Sequence, residues 1–530
     1  MDAAETVLAE VEKTEFSWKV FSDPVHGDIT LHPLCQVIVD TPQFQRLRHI
    51  KQLGGGYFVY PGAAHNRFEH SIGVYHLARK LVKKLQERHP ENIDNKDVLC
   101  VEIAALCHDL GQGPFSHVFD TMVINRMKKE NKPKGKKAKE SEIKEKRWKH
   151  EDGSWDMLDH MIEQNSHLKE EMIKYGILGK ENAGPNGNLN LNFIKNLINP
   201  PFGVDKKDQD SGQGLEKKFQ FKKKLDDGRG PEKNFLYEIV ANKRSEVDVD
   251  KMDYIARDCL LLGMRSSFDH DRFINFARVV QDADGEMRLC PRDKEAVNIY
   301  QLFQTRHSLH KKAYQHKVKC GVEYTIAEIL FKAKDVKFIP GKDGQDKTIE
   351  ECIDDMHAYT NLTDDVLQVI RVSKDPQLAE SRELLKAFDS RDLFRCVAES
   401  KPSKDFTKDD RQKIKKELAE KSKISKDQIR VKLVSLDFGN KGENPLEQQL
   451  FYRKKDHGTA IPIHQTEVKL FLPEKNYQEH LFRVYLKPVP SETKEIRKRK
   501  EDLLNSLFPD IIKEVEEEKR SQQAAGTSAP

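Results

Sequence analysis

The chain has 530 residues, 37% of them hydrophobic and 34% charged, and its 91 basic residues nearly cancel 87 acidic ones to leave a net charge of +4. No apolar run approaches the ~20 residues of a membrane-spanning helix, and the N-terminus, "MDAAETVLAEVEK", is acidic and amphipathic where a signal peptide would be basic and apolar. Eight cysteines without a C-x-x-C pair suggest neither a zinc ribbon nor a disulfide framework, so an intracellular, reducing compartment is expected.

Residues 1–15 read as a short leader, and 16–400 as one large, mostly α core. In "DTPQFQRLRHIKQLGGG" the spacing predicts a helix with Thr41 as N-cap, Pro42 at its first position and Gly54 past its end. Phe44 and Leu47 would face the core, leaving Arg46, Arg48 and Lys51 to anions. Residues 126–149 are almost wholly polar and Lys-rich, as is the insert at 203–233. Both read as solvated loops, the alternative being a basic arm that touches nucleic acid. Strong helical periodicity returns at 234–335 and again at 348–397. Residues 401–427 read as a charged linker. From 428 to 488, "IRVKLVSLDF", "QLFYRKK", "VKLFLP" and "LFRVYLK" have the strand character of a small C-terminal α+β lobe with a regulatory or oligomerisation role. Residues 489–530 form a charged, partly disordered tail. The sequence carries no internal repeat and no dinucleotide or P-loop glycine motif.

His-Asp occurs at 108–109 and at 270–271. The second pair lies in the polar "SSFDHDRF", where a solvated turn or N-cap is expected. The first follows "VLCVEIAALC", too apolar to be anything but a buried helix, and a carboxylate buried there must be paired or metal-bound. His70 heads an amphipathic helix, and Asp250, Tyr254 and Asp258 fall at i, i+4 and i+8 on one polar helix face. His70, His108, Asp109 and Asp250 make a mixed nitrogen and oxygen set suited to a divalent ion with open positions. Arg306, His310, Tyr314 and Lys317, at i, i+4, i+8 and i+11, form a stripe poor for a core and good for polyphosphate.

The motifs "HNRFEHS", "CHDLGQGPFSH", "DVDKMDY" and "TRHSLHKKAYQHKV" together resemble the HD-domain deoxynucleoside triphosphate triphosphohydrolases, most closely the animal members with a sterile-alpha-motif domain before the HD domain. The resemblance runs from about Lys19 to Lys487. Too few residues precede Phe16 for the sterile-alpha-motif domain, so a member without it, or a truncated form, is expected. The resemblance implies cleavage of dNTPs to a deoxynucleoside and inorganic triphosphate. It gives His70, His108, Asp109 and Asp250 as ligands of one metal (iron, zinc, manganese or magnesium), with further magnesium bridging nucleotide phosphates. It implies His117 as the proton donor, Asp120 as its supporting acid and His150 as a further active-site histidine. Arg67, Lys251, Arg306 and Lys317 would hold phosphates; Gln52, Leu53, Tyr254, Asp258, His310 and Tyr314 would line the sugar and base. Gln112 stands where the family has histidine. Glutamine can bond a phosphate or water but cannot carry a proton, so reduced but real activity is expected.

The resemblance also implies a homotetramer assembled by nucleotides. A GTP or dGTP activator would use Lys19, Val20, Asp40, Gln45 and Arg48, with Arg391 and Arg395 from another subunit. A dNTP activator would use Ser22, Val59, Tyr60, Arg272, Phe276, Arg292, Lys294, Asn298, His316, Lys317 and Lys454. Ser22 replaces the family's Asn and Arg395 its Lys. Control of dNTP pools in nucleus or cytoplasm, and through it restriction of viral replication as part of innate immunity, is the implied role. The alternatives are another HD-type phosphohydrolase, or a protein binding single-stranded nucleic acid with a weakened HD site, which the Lys-rich insert and "KEIRKRK" at 494–500 would favour.

Overall fold

The start of the helix Arg67–Arg88 is fixed by Glu69, whose carboxylate reaches back to accept from the Asn66 backbone N–H at 2.8 Å. In this computed structural model the helix packs against Asn95–Cys107 and Val249–Leu261, and these three elements carry the HD residues. The structure describes every residue except 1–2, 131–146, 180–187, 201, 205–218, 222–224, 403–405, 440–441, 464–466, 468–476, 490 and 527–530. Most of both Lys-rich inserts, the "VKLFLP" segment and the chain's last residues lie outside the described residues. The fold is mostly α, as expected, and no helix of the described residues is long and apolar enough to cross a membrane.

The run "VLCVEIAALC" is wholly buried within Asn95–Cys107, whose N-cap Asp94 accepts from the Asp97 N–H at 2.8 Å. Glu102 interrupts that run; burial raises its carboxyl to about 7 although Arg79, its partner, opposes the shift. Arg79 also reaches Glu12 at 3.0 Å. That contact anchors the N-terminal segment, where Ala3–Glu12 is a helix whose Leu8 is buried in the core.

Other expectations are corrected. Thr41 does cap a helix at Pro42, but the α-turns end at Gln45, a 3₁₀ turn follows at Arg46–His49, and Ile50 is extended. The chain leaves the helix because the Lys51 N–H is drawn to Asp364 Oδ2 at 2.9 Å. Arg46 is not available to anions. It is buried, and its guanidinium donates to the carbonyls of Leu110, Gln112 and Leu362 at 2.9–3.0 Å. The charged segment after 400 contains the helix Lys408–Ser422, and the tail contains Lys494–Gly526. Ile414 and Leu418 from one, and Leu504, Phe508 and Ile511 from the other, make a second core with Phe482 and Val484. Apolar side chains one turn apart suffice to dock a helix that is otherwise charged.

The strands of 428–488 also divide between two sheets. Ile429–Asp437 and Gln478–Leu486 pair antiparallel, with Arg395–Ser400 on the far edge. Phe451–Arg453 and Asp456–Ile461 instead extend a sheet with Arg278–Gln281 and Met287–Cys290. A hairpin, Lys19–Asp23 with Gly27–Leu31, follows the helix Ala3–Glu12 and precedes the HD helices. His270 begins the helix His270–Phe276, capped by Asp269, so the second His-Asp pair is a helix start.

Candidate active site

His70 lies in the first turn of its helix, His108 at the end of Asn95–Cys107 with Asp109 beside it, and Asp250 in the first turn of Val249–Leu261. His70 Nε2 is 3.1 Å from Asp250 Oδ1 and 3.7 Å from Asp109 Oδ2; His108 Nε2 is 3.6 and 3.5 Å from the same two atoms. The Nδ1 atoms are already used, His70 with Asp253 Oδ2 at 2.7 Å and His108 with the Ala105 carbonyl at 2.8 Å. Both Nε2 atoms are buried and make no hydrogen bond. Two orphaned imidazole nitrogens converging with a carboxylate fit a divalent cation, and Nδ1 partners that fix each ring are the usual support of such ligands. Asp109 is shared: Arg67 donates to its Oδ2 at 2.6 Å. Burial would raise the Asp109 carboxyl, but Arg67 and the two imidazoles hold it well below the usual carboxylate range, so it is ionised.

His117, Asp120 and His150 form a second group. Asp120 Oδ2 is 3.1 Å from His150 Nδ1 and 3.7 Å from His117 Nδ1, and the two rings stand edge to face with centroids 5.5 Å apart. His150 is mostly buried, whereas 67% of the His117 side chain is exposed. Asp120 sits at the start of a π-helical turn, Phe119–Ile124. Ahead of it, Phe115 and Ser116 adopt left-handed φ values of 57° and 56°. The surroundings hold this uncommon backbone in place. Phe115 N–H donates to Asp364 Oδ1 at 2.5 Å, and Ser116 Oγ accepts from Arg67 Nε at 3.0 Å. Gln112 is buried against Asp109, donating to its Oδ1 at 3.2 Å, while Gln112 Oε1 has no partner.

Both groups open onto one cavity of about 450 Å³. Gln52, Leu53, Arg67, Tyr254, Asp258, Arg306, His310 and Tyr314 also line it. Asp258 is fixed by His65 Nε2 at 2.6 Å and by the Tyr314 hydroxyl at 2.5 Å. Burial, reinforced by Arg306, lowers His310 to about 3, leaving a neutral ring. Two of the residues expected to hold phosphate stay outside. Lys251 pairs with Glu246 at 3.1 Å and Asp248 at 3.3 Å. Lys317 is not on the Arg306 face: the helix passes into a π turn at His310–Tyr314, breaks at Gln315, and Lys317 opens a new helix, exposed. Sequence reasoning missed Asp253, and also Gln315, Lys319, Glu323 and Lys432, all four of which line the cavity.

The residues expected to bind activators fall away from this cavity. Arg48 Nε donates to Gln45 Oε1 at 2.8 Å, near Asp40, and Lys19, Val20 and Ser22 lie on the first hairpin strand. Arg391 donates to the Phe58 carbonyl at 3.1 Å, while Arg395 is 3.6 Å from Glu501. In the second set, Arg272, Arg292 and Lys294 surround the Phe276 ring at 5.4, 6.0 and 3.5 Å, with Lys454 adding to the local positive charge. Asn298 holds the Asp269 backbone at 2.8–2.9 Å, and Tyr60, beside Val59, meets the His316 ring at 5.7 Å.

The HD-domain family model matches residues 67–192. The chain is 44% identical over 481 residues to the deoxynucleoside triphosphate triphosphohydrolase SAMHD1 of Homo sapiens, covering 89% of this chain and 71% of that protein. It is 44% identical over 495 residues to the Danio rerio protein of the same name (91% and 73% covered). It is 32% identical over 471 residues to the SAMHD1 homolog of Dictyostelium discoideum (88% and 77%).

Proposed function

The chain belongs to the family of HD-domain deoxynucleoside triphosphate triphosphohydrolases, and we propose that it cleaves dNTPs at the α-phosphorus to release a deoxynucleoside and inorganic triphosphate. The observation that carries this reading is that the HD group and the His117–Asp120–His150 group open onto the same cavity. His70, His108, Asp109 and Asp250 would hold a divalent or iron-type metal, which when bound neutralises phosphoryl oxygens and lowers the pKa of its water. Arg67 and Arg306 bind phosphate oxygens, while Lys251 and Lys317 lie outside the cavity. His117, exposed to the cavity, gives its proton to the leaving 5′-oxygen, and Asp120 holds it and His150 in place. Gln112 orients a phosphate or water through its amide without transferring a proton, which sets a low turnover. Gln52, Leu53, Tyr254, Asp258, His310 and Tyr314 enclose the sugar and base, and close packing around the sugar excludes a 2′-hydroxyl.

Two activator sites belong to the same proposal. Asp40, Gln45 and Arg48 read a guanine nucleotide, joined by Arg391 and Arg395 of another subunit. The cations around Phe276 suit a dNTP, whose base can stack on the ring while its phosphates, accompanied by Mg²⁺ as counter-ion, would meet Arg272, Arg292 and Lys294. Occupied sites would assemble a homotetramer that lowers dNTP pools inside the cell. The test is a product assay: each dNTP with Mg²⁺, with and without GTP, separated by ion exchange. Deoxynucleoside plus inorganic triphosphate, dependent on a guanine nucleotide, is expected; monophosphate or diphosphate products would refute the reaction.

A further inference from the structure

The helix Lys317–Lys332 supplies a wall of the cavity that the proposed roles leave unused. Lys319 and Glu323, one turn apart, are paired to each other; their side chains are 11% and 10% exposed, and both line the cavity. The glycine run before Tyr57 lets this helix come close. A Cβ on Gly55 would meet Glu323 Cγ at 2.9 Å, and one on Gly56 would lie 3.1 Å from Leu53 Cβ and 3.4 Å from Lys319 Cε. Lys319 therefore stands beside Leu53, on the sugar and base side, and one turn beyond Gln315.

A buried ion pair is costly to desolvate and adds no net charge with which to attract a triphosphate. It does present an ammonium donor and a carboxylate acceptor side by side, the complement of a neutral edge carrying an acceptor next to a donor. We propose that Lys319 and Glu323 are specificity-determining residues that read the hydrogen-bonding edge of the nucleobase. Glu323 accepts from an exocyclic amine and Lys319 donates to the adjacent ring nitrogen. Cytosine, adenine and guanine offer that pattern. Thymine has no exocyclic amine: its one edge donor, the ring N3–H, is recessed between two carbonyls and meets the carboxylate less well than a projecting amine. This inference rests on the dNTP triphosphohydrolase reading above.

The test is a competition reaction on the full chain with Mg²⁺ and GTP, all four dNTPs at equal concentration and the product nucleosides resolved. Pooling the substrates keeps activator occupancy the same for each, so product ratios report kcat/KM ratios. The unaltered chain should favour the amine-bearing dNTPs over dTTP. Glu323→Gln should reduce that preference by on the order of tenfold, because it removes the charged acceptor that favours a projecting amine over a recessed ring N–H. Lys319→Met should compress the ratios as well, and the exchanged variant Lys319→Glu/Glu323→Lys, which keeps the pair, should shift the order of preference. Variants that fold, by thermal melting, yet slow all four dNTPs in proportion or leave the ratios unchanged overturn the inference alone. No triphosphate from the unaltered chain overturns both it and the reading beneath it.

Discussion

Asp253 Oδ2 lies 2.7 Å from His70 Nδ1, on the opposite side of the imidazole from the nitrogen that faces Asp250. The same carboxylate is gripped by Arg257 at 2.9 Å and by His26 Nε2 at 2.7 Å, and Arg257 continues to Asp23 at 2.7 Å. His70 is thus oriented by a buried network whose centre is Asp253. Asp253→Asn keeps the shape but offers a weaker acceptor and lets the ring turn. Metal affinity should fall about 10- to 100-fold, the usual cost of losing such a partner. Titration of the purified protein with Mn²⁺ or Zn²⁺ by calorimetry reads this directly; unchanged affinity would show that His70 is held by packing alone.

Gly73, one turn after His70, passes directly under this network. A Cβ there would overlap Asp253 Oδ1 and the Arg257 guanidinium, both fully buried and fixed at both ends. Gly73→Ala should therefore destabilise the fold by about 1–3 kcal/mol despite its higher helix propensity, since overpacking outweighs the gain. Urea denaturation would show a lower midpoint at constant slope. A higher midpoint would mean that the network yields to the methyl group.

These two positions show what the sequence makes legible. His70, His108 and Asp250 stand out because each places a polar ligand where a buried helix begins or ends, and the cost of burying it demands a partner. Asp253 does not: "DVDKMDY" holds three aspartates, and only a contact 183 residues away distinguishes the one that supports His70. The Arg306 stripe was legible up to Tyr314 and misleading beyond it, because a π turn and the break at Gln315 end the regular helix. Arg46 read as surface for want of any local sign that three carbonyls from distant segments would enclose it. In the charged linker and tail, high charge density masked Ile414, Leu418, Phe508 and Ile511, the few apolar positions that dock those helices.

The Asp120–His150 pair should make stability depend on pH. Burial lowers the His150 pKa, but the hydrogen bond to Asp120 and the charges of Glu151, Asp109 and Asp120 together outweigh it and raise the group above its ordinary 6.5. Asp120 is depressed well below its ordinary 3.8: burial raises it, and the bonds to His117 and His150 pull it down. A raised histidine contributes stability that is present below pH 6.5 and lost as pH rises through the folded value; a depressed carboxylate contributes above pH 3.8. The pair is therefore fully formed at about pH 5–6. Asp120→Asn should cost about 1.5–3 kcal/mol there and progressively less toward pH 9. Urea titrations of both proteins at the two pH values measure the difference, and an equal cost at both would refute the charged pair.

Gln112 is the position whose replacement should raise activity. Its side chain is buried against Asp109, with its amide NH₂ on Asp109 Oδ1 at 3.2 Å and its carbonyl oxygen unpartnered. An imidazole occupies similar volume, can keep a donor toward Asp109, and adds a group that exchanges protons near neutral pH. If proton transfer at this position limits the reaction, Gln112→His should raise kcat at least about tenfold with little change in KM or melting temperature. The rise should be lost as the pH falls and the new imidazole becomes charged beside Arg67 and the HD histidines. Steady-state triphosphate release from pH 6 to 9 checks both parts. A kcat that stays level across that range would make residue 112 a positioning group, and would place the proton transfers on His117 and His150 alone.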